Sequence, residues 1–131
     1  MKTIHVVAGV VMYDGKTLCV QRAQHKFSYI SEKWEFPGGK VEEGESEENA
    51  LVRELQEELH LTVSGFKHLI TVDHTYPDFR IIMSTYLCTT SSESLVLTEH
   101  QKAEWLELND LRSKDWAAAD LPIVKALLNA K

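Results

Sequence analysis

One segment limits the folds open to this chain more than any other, because residues 46–59 have the spacing of a two-faced helix. At about 100° per residue, aliphatic side chains fall on one side and carboxylates on the other. The aliphatic set is Leu51, Val52, Leu55 and Leu59, and the acidic set is Glu54, Glu57 and Glu58. Ser46 is a natural N-cap, and Glu47 and Glu48 suit the first turn. The aliphatic face predicts packing against another layer of the fold.

Strand patterns lie on both sides of this helix. Residues 4–13 and 17–20 are apolar runs joined by Asp14-Gly15, which predicts a β-hairpin. Residues 22–35 lose periodicity and are expected to form an ordered loop that leads to a turn at Pro37-Gly38-Gly39. Further strands are expected at residues 66–73, 80–88 and 104–108, and a last helix at 121–129. This order predicts an α/β fold with helices layered on a mixed β-sheet.

Length and charge narrow the class of protein. A chain of 131 residues fits a single domain, 1–131, with no internal boundary. The net charge of −6 disfavours a nucleic-acid polymer as partner, because phosphate backbones require clustered cations. The absence of an apolar leader or an 18-residue apolar run predicts a cytoplasmic protein with no membrane partner. Cys19 and Cys88 lie in separate apolar runs, which predicts free buried thiols rather than a disulfide or zinc site.

A glycine-rich turn comes directly before the acidic helix. Residues 38–45 bring Gly38, Gly39 and Gly44 next to carboxylates, with backbone carbonyls free to coordinate a metal ion. Three glutamates at i, i+3 and i+4 taken alone are well explained as a solvated acidic face. Beside such a turn, however, hard oxygen ligands suit Mg²⁺ or Mn²⁺ shared with substrate phosphates. The combination favours phosphate chemistry.

The same residues resemble the Nudix box, whose pattern is GX5EX7REUXEEXGU with U aliphatic. From Gly39, five residues lead to Glu45 and seven more to Arg53-Glu54, after which Leu55, Glu57-Glu58 and Leu61 follow in register. One specified position differs, where His60 replaces the final glycine. The resemblance implies an α/β/α sandwich with a mixed sheet. It also implies a Mg²⁺-dependent hydrolase, with Mn²⁺ as a substitute, that cleaves a nucleoside triphosphate to the monophosphate and pyrophosphate.

Outside the box, the chain is most similar to MutT-type and CTP-pyrophosphohydrolase-like members of the family. Residues 34–40 resemble their entry into the box, and residues 119–122 resemble their base-contacting segment. Glu99, followed by Trp105, resembles a later loop that carries an additional metal-binding or catalytic glutamate. Other members hydrolyse nucleotide sugars or dinucleoside polyphosphates, and Pro77 lies near a position where some of those subgroups carry a marker residue.

The resemblance implies a role for each matching residue. The expected metal ligands are the Gly38 carbonyl, Glu54, Glu57, Glu58 and Glu99. The expected catalytic residues are Glu54, Arg53 and Glu99, with Glu54 and Glu99 both eligible as general base. The expected substrate contacts are Arg22, Phe36, Arg80 and Asp120, and the expected structural supports are Gly39, Lys40 and Glu45.

Several of these residues have a simpler interpretation. Arg53 could form only an i,i+4 surface pair with Glu57, and Glu45 could be a helix N-terminal charge that bonds Arg53. Asp120 could be the N-cap of the last helix. Glu99, Arg22 and Arg80 could be solvated charges. At the broken box position, we expect His60 to adopt the left-handed conformation past the helix end, at a cost of about 1 kcal/mol.

Two classes of function remain open at this point. The first is a pyrophosphohydrolase acting on NTP or dNTP, with modified nucleotides such as 8-oxo-dGTP or a modified CTP as candidate substrates. The second is a catalytically silent nucleotide-binding sensor, which the retention of Glu54, Glu57 and Glu58 disfavours. In either case we expect a nucleotide as ligand, and a monomer or small homo-oligomer.

Overall fold

The computed structural model describes residues 1–130, so Lys131, the last residue of the predicted domain, lies outside the described residues. The strands are β1 (Lys2–Tyr13), β2 (Lys16–Gln21), β3 (Trp34–Glu35), β4 (Gly38–Lys40), β5 (Ser64–Thr75), β6 (Phe79–Thr89) and β7 (Lys102–Glu107). The α-helices are α1 (Glu47–Leu59) and α2 (Leu121–Asn129), and 3-10 turns span Leu108–Ser113 and Ala118–Asp120. Every predicted strand and helix is present, with bounds that differ by at most two residues.

All seven of these strands belong to one sheet, and β1 lies at its centre. The order along the sheet is β3-β2-β1-β6-β5, with β4 also paired to β1 and β7 also paired to β2. β1 runs parallel to β6 and antiparallel to β2 and β4, so the predicted mixed sheet is confirmed. The continuous apolar run in β1 has a simple cause, since a central strand is covered on both faces.

Alternate residues of β1 face two different helical layers. Val7 and Val11 pack in one core cluster and Ala8 and Val10 in another. The first cluster includes the buried side chains of α1, namely Ala50, Leu51, Leu55 and Leu59. The second includes those of α2, namely Ile123, Val124 and Leu127. The predicted α/β/α sandwich is therefore confirmed. No helix within residues 1–130 is long and apolar enough to cross a membrane.

Both ends of α1 follow the sequence prediction. The Ser46 hydroxyl accepts a hydrogen bond of 3.1 Å from the Asn49 backbone N–H, as an N-cap does. At the other end, His60 has φ 53° and ψ 38°, the left-handed conformation expected at the broken box position. Its backbone N–H closes the helix on the Gln56 carbonyl at 3.1 Å.

Glu47 attaches the first turn of α1 to the sheet. Its carboxylate accepts hydrogen bonds from the hydroxyls of Ser84 at 2.6 Å and Tyr86 at 2.8 Å, both on β6. His5 on β1 approaches the same carboxylate at 2.7 Å. These contacts lower the pKa of Glu47 against the opposing effect of its partial burial. The helix is thus anchored on two strands before its acidic face begins.

The turn predicted at Pro37-Gly38-Gly39 is wrong in part, because Gly38–Lys40 forms the strand β4 against β1. Gly38 pairs with Ala8, and a Cβ on Gly38 would overlap the carbonyl oxygen of Val7. The glycine is therefore needed for close strand pairing, a use that glycine shares with turns. The loop predicted at residues 22–35 is likewise broken at its end by the short strand β3.

Candidate active site

An open cleft of about 1030 Å³ is lined by residues of β1, β4, β6 and α1 and of the segment before α2. We call the part of the cleft lined by the acidic residues of α1 and by β4 its charged end, and the part lined by Phe36, Tyr76 and Asp120 its apolar end. Phe79 and Ile81 of β6 also line the cleft. The cleft therefore joins a charged end to an end that is largely apolar, a layout that suits a phosphorylated organic ligand.

Three glutamates of α1 line the charged end. The side chains of Glu54 and Glu58 are 13% and 16% exposed, whereas that of Glu57 is 60% exposed. The carboxyl group of Glu54 lies directly over Gly39, where a Cβ would overlap it. Gly39 is thus required for Glu54 to reach into the cleft.

Arg53 connects the acidic helix to the turn and strand before it. Its guanidinium donates to both carboxylate oxygens of Glu45, at 2.7 and 3.0 Å, and to the Lys40 carbonyl at 3.0 Å. It also donates to Glu54 at 3.0 Å and to Glu57 at 3.3 Å. The hydrogen bonds from Arg53 lower the pKa of Glu45 to about 2. The geometry goes well beyond the i,i+4 surface pair considered as the alternative, because one side chain orients three carboxylates.

The donor set at this end fits a divalent cation. Burial, a hydrogen bond with Glu54 and the charges of Glu54, Glu99 and Glu35 raise the pKa of Glu58 to about 9. Several carboxylates are thus crowded together with too little positive charge to balance them. Within residues 1–130, no group of three His, Cys, Asp or Glu side chains is already arranged around one point as a closed metal site. An open set of oxygen ligands completed by substrate phosphates is the usual arrangement for Mg²⁺.

The segment before β7 is attached to the C-terminal end of α1. The Thr98 backbone N–H donates to the Glu58 carbonyl at 3.2 Å, and the Thr98 hydroxyl donates to the same carbonyl at 2.9 Å. These bonds satisfy carbonyl oxygens that the helix end leaves free. They place the next residue, Glu99, in the lining of the cleft near Glu58. Distant parts of the sequence thereby supply one carboxylate cluster.

At the apolar end, Asp120 is buried and bonded to the chain that leads into β4. One of its carboxylate oxygens accepts a hydrogen bond of 2.9 Å from the Phe36 backbone N–H, and the residue is 4% exposed. The Phe36 ring stacks on Trp116 with centroids 4.8 Å apart. Burial, followed by the charge of Glu35, raises the pKa of Asp120 well above its usual value. Asp120 occupies the N-cap position of α2, as the alternative interpretation has it, but its side chain makes no capping bond to that helix.

Of the two arginines expected to contact the substrate, one lines the cleft and the other does not. Arg22 lines the cleft, with its guanidinium 3.5 Å from Glu35. Arg80 is not among the residues that line the cleft, because Phe79 and Ile81 on either side of it do so and side chains alternate along a strand. Its guanidinium instead pairs with Asp73 of β5 at 2.8 Å. Arg80 is therefore removed from the expected substrate contacts.

Two cleft residues, Glu35 and His100, were not assigned from the sequence. Glu35 is 18% exposed and lies between Arg22 and His100, with one carboxylate oxygen directed at each. His100 directly follows Glu99, and its side chain is 6% exposed. The sequence contained one indication that both residues belong to the site, because Glu35 directly precedes Phe36 and His100 directly follows Glu99.

Comparison with known proteins agrees with this site. Residues 3–127 match the NUDIX domain family. The chain is 31% identical to an 8-oxo-dGTP diphosphatase of Escherichia coli K12, over 97% of this chain and 98% of that protein. It is 34% identical to a CTP pyrophosphohydrolase of the same strain, over 98% of this chain and 93% of that protein. The solution NMR structure of the MutT protein from methicillin-resistant Staphylococcus aureus 252 is 39% identical, covers all of both chains and has a TM-score of 0.75.

This chain belongs to the Nudix family. Its activity is that of a nucleotide pyrophosphohydrolase, which hydrolyses phosphoric anhydride bonds. Enzymes of this family generally depend on divalent metal ions, in agreement with the carboxylate cluster on α1.

Proposed function

We propose that this enzyme hydrolyses a nucleoside triphosphate or its deoxy form to the monophosphate and pyrophosphate, with Mg²⁺ as the metal ion and Mn²⁺ as a substitute. The observation that carries the proposal is the lining of the cleft, which combines the carboxylate cluster of α1 with the buried Asp120. A triphosphate fits the charged end, and a nucleobase fits the apolar end.

We assign the metal ligands to the carboxylates of Glu54, Glu57, Glu58 and Glu99 and to the Gly38 carbonyl. Support comes from the crowding of Glu58 by Glu54 and Glu99 and from the contact of Glu54 with Gly39. A divalent cation bound there supplies positive charge to the phosphate oxygens and lowers the pKa of water. Arg53 keeps Glu54 and Glu57 facing the cleft, and Glu45 and Lys40 hold Arg53 in turn.

Glu54 and Glu99 are the two candidates for the general base. In the reaction, an oxygen atom of water forms a bond to phosphorus while the bond from that phosphorus to the bridging oxygen breaks. The carboxylate takes the proton of the water, and pyrophosphate or the monophosphate leaves with the bridging oxygen. Both carboxylates line the cleft, and Glu54 is the more firmly held because Arg53 and Gly39 fix its position.

At the other end, we assign base recognition to Asp120 and Phe36, with Arg22 near the sugar or phosphates. The raised pKa of Asp120 means that its carboxyl group keeps a proton to higher pH than usual. A protonated carboxyl both donates and accepts, so it can pair with a base edge that offers an acceptor beside a donor. Guanine, 8-oxoguanine and cytosine each offer such an edge.

The preferred substrates are 8-oxo-dGTP and CTP or a modified form of CTP. Support comes from the relatives described as an 8-oxo-dGTP diphosphatase and a CTP pyrophosphohydrolase, which the chain matches over almost its full length. The test is a panel of nucleotides with Mg²⁺, including a nucleotide sugar and a dinucleoside polyphosphate, with products separated by chromatography. Pyrophosphate released from a triphosphate supports the proposal. Cleavage of only the sugar or dinucleoside compounds would overturn it, and no cleavage at all would favour a nucleotide-binding sensor.

The role of Asp120 is tested with Asp120→Asn. Asparagine can still accept the hydrogen bond from the Phe36 N–H, but it carries a fixed amide donor in place of a titratable carboxyl. The ratios of kcat/KM among CTP, dCTP, dGTP and 8-oxo-dGTP should change, whereas the melting temperature should stay near that of the parent. Unchanged ratios would assign Asp120 to the fold alone.

We also propose that the enzyme acts in the cytoplasm on free nucleotides, as a monomer or small homo-oligomer, without a nucleic-acid polymer or a membrane as partner. Cys19 and Cys88 are both buried free thiols, which agrees with a reducing compartment. Size-exclusion chromatography with light scattering will give the oligomeric state, and an assembly larger than a tetramer would contradict the proposal.

A further inference from the structure

His100 is a buried polar side chain in the wall of the cleft, outside both the Nudix box and the base-contacting segment. Its Nε2 atom lies 3.4 Å from Glu35 Oε2 and 4.0 Å from Glu58 Oε2. Its other ring nitrogen, Nδ1, is buried and has no hydrogen-bond partner within residues 1–130. With a side chain only 6% exposed, the imidazole is held among protein atoms rather than in solvent.

Packing alone does not account for an imidazole at this position. A buried nitrogen without a partner is unfavourable, and an apolar side chain of similar size would avoid leaving one. The favourable contact of His100 is the one made by Nε2. Because an ionised carboxylate can only accept, this contact requires the form of the imidazole in which Nε2 carries a hydrogen atom and donates a hydrogen bond to Glu35.

The contacts of Glu35 extend this interaction across the cleft. One oxygen of Glu35 faces His100 at 3.4 Å, and the other faces the Arg22 guanidinium at 3.5 Å. A continuous row of polar groups therefore leads from Arg22 through Glu35 and His100 to Glu58. The row is fixed to α1 by the hydrogen bonds that Thr98, two residues before His100, donates to the Glu57 and Glu58 carbonyls.

We propose that His100 is a positioning residue for the hydrolytic reaction. Its Nε2–H holds the Glu35 carboxylate, and the two side chains together limit the positions from which Glu58 binds the divalent cation. The proposal rests on the metal-binding role of Glu58 given above. The proposal assigns His100 no contact with the cation or the phosphates. It acts by limiting the positions that the carboxylates of Glu35 and Glu58 can take.

Three substitutions separate the donor function of His100 from its volume. In His100→Gln, the amide nitrogen reaches about as far as Nε2 and can donate to Glu35. In His100→Asn, the side chain is too short for its amide nitrogen to reach Glu35. In His100→Leu, the side-chain volume is kept but no hydrogen-bond donor remains. His68→Leu is the matched control, because His68 lies on β5 outside the cleft lining and bonds Thr71 at 2.8 Å.

Three measurements compare the variants. Electron paramagnetic resonance monitors Mn²⁺ binding to the nucleotide-free protein, steady-state kinetics give kcat and KM, and thermal unfolding without metal gives the melting temperature. We expect His100→Leu and His100→Asn to weaken Mn²⁺ binding and lower kcat by about 10–100-fold, the usual effect of removing a group that orients a metal ligand. His100→Gln should restore both to within a few fold of the parent. The melting temperature of His100→Leu should not fall, because the substitution removes the unpaired Nδ1.

Parent-like Mn²⁺ binding in His100→Leu and His100→Asn would overturn the proposal, as would a His100→Gln variant no better than His100→Asn. If His100→Leu does not fold, the comparison of His100→Gln with His100→Asn decides the question by the same two readouts. The proposed function fails differently, since a parent protein that neither binds Mn²⁺ nor cleaves any triphosphate would overturn that proposal before the variants are compared.

Discussion

Replacing His60 with glycine should stabilise the protein, because His60 holds a backbone conformation that glycine adopts without strain. His60 ends α1 at φ 53° and ψ 38°. For a residue with a side chain, this region costs roughly 1–2 kcal/mol, and a glycine raises the entropy of the unfolded chain by roughly 0.4–1 kcal/mol. The difference leaves a gain of about 0.5–1 kcal/mol. Because His60 is exposed, removing its imidazole sacrifices no buried packing.

The measurement is urea unfolding followed by tryptophan fluorescence. With a denaturant slope of about 2 kcal/mol per molar, the midpoint should rise by about 0.3–0.5 M while the slope stays constant. Gly15→Ala is the opposite control, because Gly15 has φ 76° and a Cβ there would meet nothing within 4 Å. Its stability should fall by about 1 kcal/mol from backbone strain alone. A glycine variant at position 60 with an equal or lower midpoint would refute the reasoning.

Three further predictions concern the charged residues. Glu57→Gln and Glu58→Gln should each lower kcat by orders of magnitude with little change in melting temperature, and near-normal turnover in both would refute their assignment as ligands. Arg22→Ala should raise KM for the nucleotide, whereas Arg80→Ala should leave kcat/KM unchanged because Arg80 pairs with Asp73 outside the cleft lining. Arg53 lowers the pKa of Glu45 to about 2 from a value near 4.5, so the stability that Glu45 contributes is present above pH 4.5 and is lost as the pH falls toward 2. Glu45→Gln should therefore flatten the dependence of the urea midpoint on pH in that window, and an unchanged curve would contradict the pairing.

Local patterns were sufficient to predict most of the fold. The helical spacing of Leu51, Leu55 and Leu59 determines which side of α1 is buried, and Ser46 and His60 mark its ends through capping chemistry that depends only on near neighbours. The apolar run of β1 predicted a strand covered on both faces. What the sequence could not supply was strand pairing, because β4 is too short to have a period and its glycines are equally typical of a turn.

The residues of the candidate site also fall into two groups, those that local sequence spacing predicts and those whose position depends on the tertiary structure. The glutamates of α1 and their link through Arg53 follow from a fixed spacing, so the sequence located them. The place of Arg80 depends on which side of β6 faces the cleft, and one residue of register moves a side chain to the other face. Asp120 was placed at the start of a helix, where an N-cap is the ordinary expectation, but its partner is the Phe36 N–H, 84 positions away. Contacts at that separation require the tertiary structure.

The hydrogen bond between the Phe36 N–H and Asp120 also links Asp120 to the chain segment that lies beside the α1 carboxylates. Phe36 lies two residues before Gly38, so the segment that Asp120 holds continues directly into β4. β4 is fixed in turn by its pairing with Val6, Val7 and Ala8 of β1. The segment that Asp120 holds therefore also carries Gly39, over which the Glu54 carboxyl lies. This short, tightly paired segment links Asp120 to the carboxylates, and such a rigid link is what the proposed base recognition by Asp120 needs if a bound base is to place a phosphate at the carboxylates.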